Sequence, residues 1–257
     1  MVDKEVARNV VGIIGNIISF CLFASPIPTF VEIWKSKSVG EFKPDPYLAT
    51  IMNCLLWNFY GLPMVHPDST LLISINSAGL AMEAIYVTIF FLYADRKGQV
   101  KVIGCIFIEL VFLAILVTCT LKFSDTHEQR STIVGIICVI FNIVMYASPL
   151  TVMRKVITTK SVKYMPFCLS LANFLNGIIW VFYAVIDKLD LFILIANSVG
   201  LSSGVIQLAL HACYRKPTLN HEDVDKPAAE LQPYTADENG SDLWVQCYLT
   251  HKHIDIP

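Results

Sequence analysis

The sequence predicts an all-α membrane protein with seven transmembrane helices in a three-plus-one-plus-three order. Three observations carry this. Hydrophobic residues make up 55% of the 257 residues and charged ones 16%, where a soluble domain carries about a quarter charged. Seven apolar runs are each near the ~20 residues a helix needs to cross the hydrocarbon core. The chain also repeats itself. Val11-Gly12-Ile13-Ile14, Ala24-Ser25-Pro26, Lys37-Ser38-Val39, Asn53 and Trp57 recur 123 residues later as Val134-Gly135-Ile136-Ile137, Ala147-Ser148-Pro149, Lys160-Ser161-Val162, Asn176 and Trp180. Asn76-Ser77-Ala78-Gly79 recurs as Asn197-Ser198-Val199-Gly200 at an offset of 121. Duplicated membrane bundles are characteristic of transporters, whose substrate site lies between the halves near the bilayer midplane.

The spans fall at about 10–32, 47–65, 70–93, 102–121, 132–153, 164–186 and 190–213. The first is too long for a signal-peptide core and has no small-residue cleavage site before the next run, so it stays as a helix. The fourth has no repeat partner and links the halves. One linking helix makes both triplets run in the same direction, a parallel repeat. This divides the chain into a first bundle at 8–94, a linker helix with its loops at 95–130, a second bundle at 131–213 and a polar tail at 214–257.

Basic residues set the orientation. Lys35, Lys37, Lys43, Arg96, Lys97, Lys101, Arg154, Lys155, Lys160, Lys163, Arg215 and Lys216 lie on one side, against Lys4, Arg8, Lys122, Arg130 and Lys188 on the other. The N-terminus is therefore expected outside or in the lumen, and the C-terminus in the cytosol. The acid-rich tail has the composition of a disordered segment, although Leu243-Trp244-Val245 to Tyr248-Leu249 near its end is apolar.

Several function classes drop out. A net charge of -2 without a basic stripe does not suit nucleic acid. Most cysteines sit inside apolar runs with no CxxC or Cys/His ligand spacing, so neither a zinc site nor a disulfide framework is indicated. No nucleophile motif or phosphate loop supports an enzyme, and nothing calls for a metal or a cofactor.

The intramembrane polar residues and prolines remain. An amide is costly on a lipid-facing surface and tends to face the bundle interior. Asn53 and Asn176 stand one turn before Trp57 and Trp180, so amide and indole share a face in each half. Asn76 and Asn197 recur early in the third helix of each half. Paired amides beside paired indoles suit a neutral polyol, whose hydroxyls bond amides and whose C–H faces stack on rings. Interhelical glue is the competing reading of any single asparagine, and it is the one applied to the unmatched Asn58, Asn142 and Asn173. Pro26 and Pro149 occupy matching places late in a helix, where a missing N–H kinks it. Pro28 lies beside Pro26. Pro44, Pro46 and Pro166 suit helix starts as well as hinges. Glu83 and Glu109 lie inside spans and raise proton coupling, but no base or second acid accompanies Glu83 on its helix.

The stretches Pro26–Phe30 (PIPTF), Asn53–Gly61 (NCLLWNFYG), Ser74–Gly79 (SINSAG) and Lys160–Phe167 (KSVKYMPF) resemble the plant SWEET sugar transporters over about residues 8–213. The resemblance implies a uniporter in which two triple-helix bundles, joined by a linker helix, carry mono- or disaccharides down their gradient by alternating access. By resemblance Asn76, Asn197, Trp57 and Trp180 line the sugar site, and Leu22, Asn53, Met145 and Asn176 select size. Pro26, Pro46, Pro149 and Pro166 are hinge prolines, and Tyr60 and Asp190 form an outer gate. Ala196 departs from the family, which often has proline directly before the second-half asparagine. Met145 and the Asn53/Asn176 pair take more room than the smaller residues of sucrose carriers, so a hexose (glucose, with fructose or galactose next) is expected over sucrose. The stretches are most similar to the hexose-carrying branch, which implies the plasma membrane first and the vacuolar membrane second. The expected partners are the sugar and the bilayer, and the resemblance also implies self-association. Proton-coupled export of another solute, as in the related PQ-loop transporters, is disfavoured because Ile27 and Leu150 follow the hinge prolines. A seven-span receptor or scaffold is the third reading.

Overall fold

The computed structural model describes residues 3–163 and 165–224, and these are helical throughout apart from short connections. The helices are α1 (Lys4–Ala24), α2 (Ile27–Ser36), α3 (Asp45–Gly61), α4 (Thr70–Tyr93), α5 (Arg96–Phe123), α6 (His127–Met145), α7 (Ala147–Thr159), α8 (Phe167–Val185) and α9 (Leu191–Val224). Two of the seven expected spans are each broken in two. The runs Lys4–Ser36 and His127–Thr159 are still long and apolar enough to cross a membrane, as are α4, α5, α8 and Leu191–Arg215. At 17 residues, α3 rises about 26 Å, a little short of the ~30 Å hydrocarbon core.

The breaks follow from missing donors. In a helix, residue i donates to the carbonyl of i−4, and proline cannot. Pro28 leaves the Ala24 carbonyl without its donor, and α1 ends at Ala24. Pro149 does the same to Met145, and α6 ends at Met145. Ser25 N–H turns back to the Leu22 carbonyl that Pro26 cannot serve, at 3.1 Å. Pro28 therefore shares the first break with Pro26. The following pieces, α2 and α7, stop at repeat-matched residues in the left-handed region, Lys37 at φ 56° and Lys160 at φ 52°.

Other helix ends have equally local causes. The Asp3 carboxylate accepts from Glu5 N–H at 3.1 Å to cap α1, and Asp95 accepts from Gly98 N–H at 2.8 Å to cap α5. Pro44 and Pro46 flank the start of α3, where proline is tolerated. The expectation that this span runs to 65 is not met. Leu62 is held extended, at ψ 140°, because Pro63 follows it. Residues 62–66 instead form a turn in which Val65 and His66 N–H both reach the Leu62 carbonyl, at 2.8 and 2.9 Å. The last span, expected to end at 213, continues as helix to Val224. Most of the polar tail, with its apolar end, lies outside the described residues.

The helices divide into two compact units that do not follow the repeat boundary. One takes Met1–Met145 with Leu175–Val199, the other Tyr146–Phe174 with the chain from Gly200. Within the first unit, α4 packs against both α1 and α3, and α3 also meets α6. One cluster there joins Phe30, Ile33, Leu48, Tyr86, Val87, Phe90 and Val102. Phe30 stacks on Tyr86 at 4.5 Å and meets Tyr47 edge-on at 4.8 Å. The larger cluster centres on Leu56, Trp57, Tyr60, Trp180, Tyr183 and Ile193. Many large apolar side chains on α5, among them Phe107 and Ile108, are exposed, as lipid-facing residues are. In the second unit, Met153, Val156 and Met165 form a smaller core, and His211 Nε2 lies 2.6 Å from the Met165 carbonyl.

Repeat-matched glycines set the closest approaches. A Cβ on Gly12 would lie 2.6 Å from Leu71 and 2.9 Å from Tyr183, and one on Gly135 would strike the Phe192 ring. Leu71 and Phe192 are themselves repeat mates at the 121 offset, so each half docks a bulky residue of its third helix onto a glycine of its first. Gly135→Val should therefore destabilise the purified protein by about 1–3 kcal/mol through overpacking, read as a lowered Tm in detergent. An unchanged Tm would show that the ring can swing aside.

Candidate functional site

The repeat-matched amides do take matching geometry. Asn76 Nδ2 donates to the Leu72 carbonyl at 2.8 Å, and Asn197 Nδ2 donates to the Ile193 carbonyl at 2.9 Å. Each side chain thus ties one N–H to its own preceding turn. Each keeps its carbonyl oxygen and a second N–H for another partner. The tryptophans match as well. Trp57 meets Tyr60 edge-on at 5.5 Å, and Trp180 meets Tyr183 edge-on at 5.1 Å. Tyr60 and Tyr183 are repeat mates at the 123 offset, and both are fully buried.

The second pair of amides breaks this symmetry. Buried Ser19, on α1, receives the Trp180 indole N–H at 3.0 Å and donates to Asn176 Oδ1 at 2.6 Å. Asn176 is therefore held by its oxygen and has its NH2 group left to offer. Its mate Asn53 has a buried Oδ1 with no partner among the described residues. The counterpart of Ser19 is Asn142, which donates to the Ala196 carbonyl at 3.2 Å and leaves Asn53 alone. Sequence reasoning missed Ser19. The signal was present: Asn142, read as an unmatched amide, is matched by a hydroxyl. Asn58 accepts from Ser77 Oγ at 3.2 Å, an interhelical contact of the kind expected for glue.

Leu22 and Met145 stand at repeat-matched places near the ends of α1 and α6, both half-buried. No hydrogen bond or ring contact among the described residues joins either to the amides. Pro26 and Pro46 lie in the first unit with the amides, and Pro149 and Pro166 lie in the second. Glu83, two turns beyond Asn76, is buried with Oε2 unpartnered among the described residues.

At the end of the first unit that carries the α3–α4 loop, Asp190 collects contacts. Tyr60 donates to its two oxygens at 3.1 and 3.0 Å. Oδ1 also accepts Phe192 and Ile193 N–H, both at 3.0 Å, which caps α9. His66 Nε2 lies 3.2 Å from Oδ2. Arg8 sits over the Tyr183 ring at 4.3 Å, as His66 stacks on Tyr60 at 4.8 Å. Burial pushes the His66 imidazole below its ordinary range. The Asp190 charge opposes this and Arg8 reinforces it. Farther out, Lys188 pairs with Asp68 at 2.9 Å in solvent.

Helices in a three-plus-one-plus-three order, with amides and indoles duplicated at membrane depth, define a two-repeat transporter of the membrane rather than an enzyme. Comparison with known proteins gives the family. The model for sugar efflux transporters for intercellular exchange matches twice, at residues 9–98 and 132–219, once on each repeat. Similar relatives include "Bidirectional sugar transporter SWEET5" of Arabidopsis thaliana, 56% identical over 88% of this chain and 94% of that one. "Bidirectional sugar transporter SWEET4" of the same plant is 61% identical over 85% of this chain and 86% of its own. A eukaryotic SWEET transporter structure at 3.7 Å superposes with TM-score 0.79 and 36% identity, covering 83% of this chain and 99% of that one. The chain belongs to the SWEET family of sugar transporters.

Ser19 makes a direct prediction. Ser19→Ala strands the buried Trp180 N–H and should cost about 1–3 kcal/mol, measured as a lowered Tm. Ser19→Thr, which keeps the hydroxyl, should restore most of it. Equal Tm values for all three proteins would mean the hydroxyl holds nothing.

Proposed function

We propose that the chain is a bidirectional uniporter of hexoses, glucose first, working by alternating access. The observation that carries this reading is the matched pair Asn76 and Asn197. Each is tethered by one N–H and keeps a carbonyl oxygen for a hydroxyl. The relatives named as bidirectional sugar transporters support it. Trp57 and Trp180 stack on the sugar ring, and Asn53, Asn176, Leu22 and Met145 set the size of the pocket. Met145 and the two pocket amides favour a hexose over sucrose, because a tight polar site rejects a ligand that leaves its amides unpaired.

In this reading the moving bodies are residues 8–94 and 131–213, joined by 95–130. Pro26, Pro46, Pro149 and Pro166 are the hinges, and the breaks at Ala24 and Met145 support them. Tyr60 and Asp190 are the outer gate, and their hydrogen bonds close it. The distribution of basic residues supports an orientation with the Asp190 end outside and the C-terminus in the cytosol, and the family resemblance supports the plasma membrane as the site of action. The family resemblance supports self-association, with a complete path in each protomer.

The test is uptake of radiolabelled glucose and sucrose in cells lacking their own carriers, with and without a proton uncoupler. Glucose flux that survives the uncoupler, with little sucrose flux, is the expected result. Predominant sucrose flux would overturn the reading of the pocket. Flux abolished by the uncoupler would turn attention to Glu83 and proton coupling. Asn76→Ala and Asn197→Ala should each lower glucose uptake about tenfold or more at equal surface expression, by removing an acceptor for a sugar hydroxyl. Normal uptake in both variants would remove these amides from the site.

A further inference from the structure

We propose that His66 is a third member of the latch at the Asp190 end, a positioning residue that holds Asp190 where it accepts Tyr60. This rests on the reading of Tyr60 and Asp190 as a gate. Every polar edge of the imidazole is engaged. Its face lies on the Tyr60 ring at 4.8 Å, nearly parallel at 16°. Nε2 meets Asp190 Oδ2 at 3.2 Å. Nδ1 meets Ser131 Oγ at 3.1 Å and the Tyr60 hydroxyl at 3.4 Å. These partners come from α3, the start of α6 and the start of α9, so one ring joins elements of both repeats.

The backbone that presents the ring is stiff. Pro63 and Pro67 flank the turn, and the Leu62 carbonyl takes two N–H groups from it. Val65, next to His66, is fully buried. Ser131 donates to the Val65 carbonyl at 2.6 Å, which fastens the turn to α6. Asp190 has its Oδ1 occupied by the α9 cap. Among the described residues, Oδ2 is left to Tyr60 and His66. Tyr60 has a single proton to give, so a proton on His66 Nε2, which an accepting carboxylate requires, is what keeps Oδ2 pointed at the tyrosine. The charged groups around the ring are Asp190, Arg8, Asp68 and Lys188. Arg130, on α6, is turned away to the Ser124 and Met64 carbonyls. Leu189 stands where the 123 offset would place a second such histidine, so the device is one-sided.

Native Cys138 reports on the latch without reference to any sugar. It is fully buried on α6 within the same cluster as Tyr60. Intact cells carrying the full chain would be treated from outside with a membrane-impermeant maleimide, and modification of Cys138 read by peptide mass spectrometry. Losing one hydrogen bond shifts a two-state equilibrium about fivefold, so His66→Phe, which keeps the stacked ring, should raise the rate of Cys138 modification about fivefold. Tyr60→Phe should raise it comparably. Cys54, equally buried but off the 53–57–60 face of α3, should stay unmodified in both. If Tyr60→Phe raises the rate and His66→Phe leaves it within about twofold of the parent, His66 is no part of the latch and the gate stands. If neither raises it, the gate reading falls, and this proposal with it. A His66→Phe protein that labels at Cys54 as well is misfolded. Ser131→Ala, which removes the Nδ1 contact from the other side, then carries the same expectation and the same overturning result.

Discussion

The arrangement at membrane depth depends on one carboxylate. Asp190 begins α9 and so fixes where Asn197, two turns on, faces. It is also the acceptor for Tyr60, which ends the α3 face that carries Asn53 and Trp57. A buried carboxylate is tolerable only when its lone pairs are filled, and here backbone N–H groups, a phenol and an imidazole fill them. The requirement to satisfy a buried charge therefore joins a helix start in the second repeat to a helix end in the first. It does so where Tyr60 is fully enclosed by the larger apolar cluster.

Deeper in, the constraint becomes the cost of an unmet amide. Asn76 and Asn197 each spend one N–H on their own helix. Asn53 keeps a buried oxygen with no partner among the described residues. Buried polar groups are ordinarily hydrogen-bonded, so an amide of this kind is a group with bonding capacity to spare. The apolar scaffold is well packed by comparison, with Phe30, Tyr47 and Tyr86 in ring contact and Leu56 and Tyr60 fully enclosed. Rigidity and incompleteness thus occupy different layers of the same helices.

Much of this was legible in the chain. The 123-residue repeat exposed the architecture, and the four-residue step from Asn53 to Trp57 put amide and indole on one face before any coordinates. What was not legible depends on contacts far apart in sequence or on competition between neighbours. Ser19 reaches Asn176 across 157 positions, and no spacing rule spans that. The first helix break followed Pro28 as well as Pro26, because the deprived carbonyl and not the proline marks the end. The second span stopped at Gly61 because Pro63 forces Leu62 extended, although hydropathy alone carries the run to 65. Polar residues hid the continuation of α9, since hydropathy reports membrane and helix together and the two part company after Arg215.

The Ser19 bond has an evolutionary side. Each repeat carries one copy of the amide and of the indole, and a single hydroxyl binds only the second copy's pair. Replacing Asn176 leaves the Ser19 proton without its acceptor, while the Ser19 oxygen still takes the Trp180 N–H. Replacing Asn53 strands nothing already bonded. Among the described residues the first repeat's amide can therefore change alone, whereas a change at its mate obliges the Ser19 proton to find a new acceptor.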